Sequence, residues 1–184
     1  MSYARLSLIL TLILLGILTR LLPHPPNFTA MSAIALFGAS TIGSLGLSFF
    51  IVFIAMFLSD LVFGMHNSMP YVYFSFGLTV LMGHWLNLKT AVQGDKVKRT
   101  IFTVPMCLTA SSFLFFFIAN FGVWMAGDLY TKTWDGLLLC YIAAIPFLKY
   151  QILGDLFYGC LMFVCFVSRA RESSSLPQAL VRNR

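Results

Sequence analysis

YARLSLILTLILLGILTRLLPHPP, residues 3–26, decides the class of fold. From Leu6 to Leu22 the only charged side chain is Arg20. A helix from about Tyr3 to Leu22 is long enough to cross a hydrocarbon core, which takes about 20 apolar residues. Pro23, Pro25 and Pro26 then end it, because proline removes a backbone donor and disfavours a helical residue before it. The run closes on Arg20 and prolines and not on a small-residue cleavage site. It therefore reads as a retained helix and not as a signal peptide.

The rest of the chain follows the same pattern. Hydrophobic residues make up 59% of the 184, charged residues 10%, and the mean hydropathy is +0.88. A soluble domain cannot bury so large an apolar fraction. The length allows about six or seven crossings joined by short loops, hence an all-α integral membrane bundle with a single transmembrane domain over residues 1–168. Residues 169–184 read as a basic cytoplasmic tail, mobile in character.

The remaining crossings can be placed by composition. A second apolar piece, Thr29 to about Thr41, is rich in small residues that let backbones approach closely. A third runs from Leu47 to about Phe63, a fourth from about Val72 to Leu88, and a fifth from about Thr100 to Ala126. The polar loop Gly127 to Asp135 leads to a last apolar region that reaches Val167 and is too long for one straight crossing. Pro146 is expected to divide a short lead-in from a sixth crossing, Phe147 to Val167.

Net charge is +6, with twelve Lys and Arg residues that gather near the ends of apolar segments and not on one soluble face. Membrane orientation explains this better than nucleic acid binding. With both termini cytoplasmic, Arg5, Lys89, Lys96, Lys98, Arg99, Arg169, Arg171, Arg182 and Arg184 fall inside. Arg20 and Lys132 fall outside, nine against two. Cys107, Cys140, Cys160 and Cys165 lie in apolar stretches without metal-site spacing, as buried thiols do.

In that orientation the polar residues collect at the outer end. His24 and Asn27 lie in the first loop, His66 in the third, and Asp128, Tyr130, Lys132, Trp134 and Asp135 in the fifth. Asp60, Tyr73, Asn120, Trp124, Lys149 and Asp155 lie within helices. Ionisable groups in hydrocarbon cost at least about 2.5–3.5 kcal/mol each, so Asp60, Lys149 and Asp155 require partners or a wet cavity, and pairing Lys149 with a carboxylate is the cheapest arrangement. Taken singly, each reads as well in a structural role, as helix glue or an interfacial anchor, as in a binding one. As a converging set, His24, Asn27, Asp60, His66, Tyr73, Asn120, Trp124, Trp134, Lys149 and Asp155 point to a small-molecule pocket, with the tryptophans as stacking surface.

Two stretches echo each other, Ser59-Asp60-Leu61-Val62-Phe63-Gly64 and Gly154-Asp155-Leu156-Phe157-Tyr158-Gly159, as though related elements framed one site. Enzyme signals are poor: there is no His pair at helical spacing, no phosphate-cradling glycine loop and no nucleophile elbow. No catalytic residue, metal or cofactor is expected. Asn27-Phe28-Thr29 matches a glycosylation acceptor, a pattern without meaning in a bacterial chain.

The segments Leu21-Leu22-Pro23-His24-Pro25-Pro26-Asn27-Phe28-Thr29, Ala33-Ile34-Ala35-Leu36-Phe37-Gly38, Ser59-Asp60-Leu61, Asn120-Phe121-Gly122-Val123-Trp124 and Gly154-Asp155-Leu156 carry a family likeness over roughly Arg20 to Val167. Together they resemble small bacterial membrane proteins allied to the substrate-binding S components of energy-coupling factor (ECF) vitamin transporters. The resemblance implies a six-helix bundle in the bacterial inner membrane that captures a vitamin-like molecule at its outer face and releases it inward. It also implies an ECF-type energising module as partner. The first helix lacks the Ala-x-x-x-Ala docking motif of many S components, so a solitary type, such as the cobalamin transporters of Gram-negative bacteria, is the closer analogy. Some of those ligate cobalt through an outer cysteine. No cysteine occurs between Met1 and Met106, which leaves His24 or His66 as candidate metal ligands. Two further readings stay open: an intramembrane metal enzyme using His24, His66 and Asp60, and a bundle with a structural or assembly role.

Overall fold

A computed structural model describes residues 3–86 and 96–175, and within them the chain is helical without strands. The six helices are α1 (Tyr3–Leu21), α2 (Met31–Ile42), α3 (Leu45–Phe63), α4 (Met69–Leu86), α5 (Lys96–Ala126) and α6 (Trp134–Ser175). Four of them, α1, α3, α5 and α6, are long and apolar enough to cross a membrane. Lys89 and much of the basic fourth loop, like Arg182 and Arg184 of the tail, lie outside the described residues.

The lipid-facing surface is written into α1. Leu6, Leu10, Leu14 and Leu18, one per turn, are exposed, whereas Ile9, Leu12, Gly16 and Thr19 are buried. Large exposed side chains on α3, including Phe50, Phe57, Leu61 and Val62, continue the apolar surface. In water such a surface would drive aggregation, and in a bilayer it is the required one. The protein is a membrane-spanning helical bundle.

α2 is the axis. All 12 of its residues are buried, and it packs against each of the other five helices. Around it, α1 lies on α3, α3 on α4, α4 on α5 and α5 on α6. Small residues make this possible. A Cβ on Gly83 of α4 would stand 2.8 Å from the Leu36 Cα of α2, so the two backbones are in direct contact there. At about 1.5 Å per residue α2 is about 18 Å long, too short to cross about 30 Å of hydrocarbon alone. It ends in Gly43, whose φ of 73° is the left-handed cap that glycine adopts without strain.

The expected break at Pro146 is absent. α6 runs unbroken through it to Ser175, past the expected end at Val167, and α5 likewise contains Pro105. Proline removes a single helical hydrogen bond, and packed neighbouring helices let a membrane helix tolerate that loss. The 42 residues of α6 therefore form one rod of about 63 Å, about twice the hydrocarbon thickness. The first part of the expected tail continues this helix.

Candidate functional site

Residue 20 is the fourth after Gly16, so it sits on the inward face of α1 one turn further on. Its guanidinium reaches α3, where Nη2 lies 2.5 Å from Oδ1 of Asp60, one turn before the helix ends at Phe63. Nη1 donates to the Met56 carbonyl at 3.3 Å and lies 2.9 Å from the Met56 sulfur, and the guanidinium carbon is 5.8 Å from the Phe63 ring centroid. The Tyr73 hydroxyl of α4 donates to Oδ2 of Asp60 at 2.8 Å. Asp60 is 1% exposed, and its charge is matched by Arg20 and hydrogen-bonded on both oxygens, which a buried carboxylate requires.

The expected pairing of Lys149 with a carboxylate is therefore corrected. Lys149 is exposed, with its ammonium 5.8 Å from the Tyr150 ring centroid. The reason is helical phase. Gln151 and Asp155, four apart, share the inward face of α6, and two residues before Gln151 places Lys149 on the opposite side.

Above this ion pair, the loop between α1 and α2 folds over the end of the bundle. The Phe28 N–H donates to the Pro25 carbonyl and the Thr29 N–H to the Asn27 carbonyl, each at 3.0 Å. Asn27 takes φ 64°, a left-handed conformation that asparagine tolerates better than most side chains. The Ala30 N–H donates to the Thr19 hydroxyl at 3.2 Å, satisfying a donor at the start of α2. Phe28 seats the loop on α6, its ring centroid 6.1 Å from that of Phe157 and 5.7 Å from that of Tyr158. Gly154 admits the loop, because a Cβ there would be 3.1 Å from Phe28 Cα and from the Thr29 nitrogen.

Under and beside this loop is a cavity of about 420 Å³. Arg20, His24, Asn27, Thr29 and Gln151 are the polar part of its lining, and Met31, Met56, Phe63, Val72, Phe76 and Phe115 belong to the apolar part. A second cavity of about 330 Å³ lies between α5 and α6, lined among others by Asn120, Tyr130, Cys140, Ala144 and Phe147. Asn27, Val72 and Phe115 line both, so the two are neighbours. An apolar hollow with a few convergent polar groups and a volume of about 300–1,000 Å³ is the usual form of a small-molecule site.

Deeper in the bundle, Gln151 leads to a second polar centre. Its amide nitrogen donates to the Ser32 hydroxyl of α2 at 3.0 Å and to Oδ2 of Asp155 at 2.9 Å. The Ser112 hydroxyl of α5 donates to the same Oδ2 at 2.7 Å and also lies 3.0 Å from the Leu108 carbonyl. Asp155 is fully buried, and its Oδ1 has no hydrogen-bond partner among the described residues.

Of the candidates named from sequence, His24, Asn27 and Asn120 line the cavities. Asp60 and Tyr73 hold Arg20 at the wall of the larger one, and Asp155 is one hydrogen bond behind it. The other four stand apart. His66 is exposed and 3.0 Å from the Ser68 hydroxyl; Trp134 is 85% exposed; Lys149 faces outward. Trp124 donates to the Thr131 carbonyl at 2.8 Å, with Lys132 bridging the Trp124 and Gly127 carbonyls, so it shapes the loop after α5 and does not stack in a pocket. His24, whose ring nitrogens meet the Pro25 and Arg20 carbonyls, does not gather with His66 and Asp60, and no three metal-binding side chains cluster among the described residues.

Arg20, Thr29, Gln151, Ser32 and Ser112 are not among the site candidates named from sequence. Arg20 and Gln151 carry a signal, since each lies four residues from an inward-facing position, Gly16 and Asp155. Ser112 does not, because its meeting with Asp155 depends on the register between α5 and α6.

Bundle, buried ion pair and polar-lined hollows together define a multi-helix membrane protein with a small-molecule-sized cavity at one end. The chain belongs to a family of unknown function (DUF6580), which matches residues 2–177. No curated protein and no solved structure matches it.

Proposed function

We propose that this protein is the substrate-binding part of a membrane uptake system, or a solitary transporter, that takes up a vitamin-like small molecule. The observation that carries this reading is the hollow of about 420 Å³, lined by Arg20, His24, Asn27, Thr29 and Gln151 together with methionine and phenylalanine side chains. A solute with several hydrogen-bonding groups and an apolar body fits that mixed lining. The resemblance to ECF S components supports the same reading, with an ECF-type module or independent action as the two modes. Cobalamin stands at the large end of the class, and the volume of either hollow favours a smaller vitamin-like solute.

In this proposal the protein sits in a bacterial inner membrane with both termini in the cytoplasm, which the basic residues near the helix ends support. The cavity end then faces outward, since α1 ends and α2 begins there.

Native mass spectrometry of full-length protein, gently extracted from its own cells, tests the reading. A retained solute of vitamin size is expected, and adding it back at about 100 times its dissociation constant should stabilise the protein by about 2.7 kcal/mol. His24→Ala and Asn120→Leu should weaken that effect while the protein still inserts. If no solute is retained and neither a vitamin panel nor cobalamin shifts the melting point, the bundle has a structural or assembly role instead.

A further inference from the structure

Asp60 and Asp155 are both buried acidic groups that stand behind the cavity lining, but Asp60 is paired with Arg20 whereas Asp155 has no cationic partner among the described residues. Its Oδ2 is met by two neutral groups, the Ser112 hydroxyl and the Gln151 amide, and its Oδ1 by none among the described residues. An uncompensated carboxylate so buried is among the most expensive groups a protein can hold, and such groups are retained where they do work.

The Ser112 Oγ lies within hydrogen-bonding distance of two acceptors, the Leu108 carbonyl at 3.0 Å and Oδ2 of Asp155 at 2.7 Å, yet a hydroxyl has one proton. A proton on Oδ2 resolves this. The carboxyl O–H then donates to the Ser112 Oγ, and the Ser112 O–H donates to Leu108, so both short contacts become full hydrogen bonds. A proton also requires no added space, and neither cavity is lined by Asp155.

Among the described residues, no cationic side chain pairs with Asp155. α2 has no titratable side chain, and α5 carries only Cys107 between residues 101 and 126. On α6, Lys149 points outward and Tyr158 lies against Phe28. The loop over the cavity brings His24, whose ring nitrogens lie 2.7 Å from the Pro25 carbonyl and 3.2 Å from the Arg20 carbonyl and contact no oxygen of Asp155. Arg20 is held by Asp60.

We propose that Asp155 is a proton-binding site of the bundle, exchanging its proton with the cavity past Gln151. The step is simple: a hydronium ion in the cavity gives up a proton, its O–H bond breaking to leave water while a lone pair on Oδ2 of Asp155 forms the new O–H bond and the carboxylate becomes a neutral carboxyl; release reverses this, the proton returning to a cavity water. Gln151 controls it because this side chain both lines the cavity and donates to Asp155. The site would let proton binding and occupancy of the cavity influence each other. It stands without the uptake reading, since a proton site needs no solute to be detected.

Infrared difference spectroscopy of the full-length protein in lipid nanodiscs tests it, with no solute added. A protonated-carboxyl band is expected at pH 7 in the wild type and in Asp60→Asn, and its loss in Asp155→Asn. The band must shift when the wild type carries carbon-13 aspartate, a measurement that needs no variant to fold. Gln151→Leu should keep the band and slow its exchange into heavy water by about tenfold, the effect of losing one hydrogen-bonded link. A wild-type spectrum without a label-sensitive band overturns the proposal. So does a band that persists in Asp155→Asn or that sodium ions remove at fixed pH, since the latter marks a metal-cation site. An unchanged exchange rate in Gln151→Leu overturns the route.

Discussion

Replacing Arg20 with Met tests the central electrostatic claim. The change keeps an unbranched apolar stem and deletes the guanidinium that meets Oδ1 of Asp60 at 2.5 Å. Asp60, 1% exposed, then retains only the Tyr73 hydroxyl, so it is left as a nearly unpaired buried charge. Breaking one side of a buried ion pair costs about 3–5 kcal/mol. The reverse change, Asp60→Asn, should cost less, about 1–3 kcal/mol. Arg20 is 16% exposed and lines the cavity, so water can solvate the orphaned guanidinium, and the Met56 carbonyl remains as an acceptor. The double variant should lose less than the two single losses added together, with a coupling of about 1–3 kcal/mol. Reversible unfolding in mixed micelles, followed by circular dichroism, gives all four corners of the cycle. A loss below about 1 kcal/mol for Arg20→Met, or additive losses, would refute the claim that this pair is a buried, structural contact.

Other expectations follow from single contacts. Lys149→Ala should leave stability within about 0.5 kcal/mol and leave solute retention unchanged, because the side chain is exposed on the far face of α6; a thermal melt and native mass spectrometry check both. Gly83→Ala should cost about 1–3 kcal/mol in the same micelle titration, since its methyl group would meet the Leu36 backbone and force α2 and α4 apart. Phe28→Ala should loosen the loop over the cavity by removing its ring contacts with Phe157 and Tyr158. Hydrogen exchange should then rise over residues 24–30 and stay unchanged in α3.

The helices were legible because each apolar run is bounded by proline, glycine or charge, as residues 3–26 show at α1. Their ends fall within a few residues of expectation for α1 to α5. Pro146 misled because the rule that proline ends helices is a rule for water-exposed chain, whereas here the helix is supported by its neighbours. In the site, polarity alone pointed to Lys149, Trp134 and His66, and polarity without helical phase cannot tell an inward from an outward position. Phase does separate Lys149 from Gln151 and Asp155. The partners of Asp60 and Asp155 were hidden for a different reason: Arg20 lies 40 residues from Asp60 and Ser112 lies 43 from Asp155, so these contacts exist only after the helices have packed.

The shortness of α2 also bears on how the chain is made. Twelve residues are not enough for a segment to settle in lipid on its own as it emerges from the ribosome, and α2 has no surface left over for acyl chains once assembly is complete. Its integration must therefore wait for α3 and α4 to arrive beside it, so that a nascent chain halted just after Gly43 would hold a segment with no settled place in the bilayer.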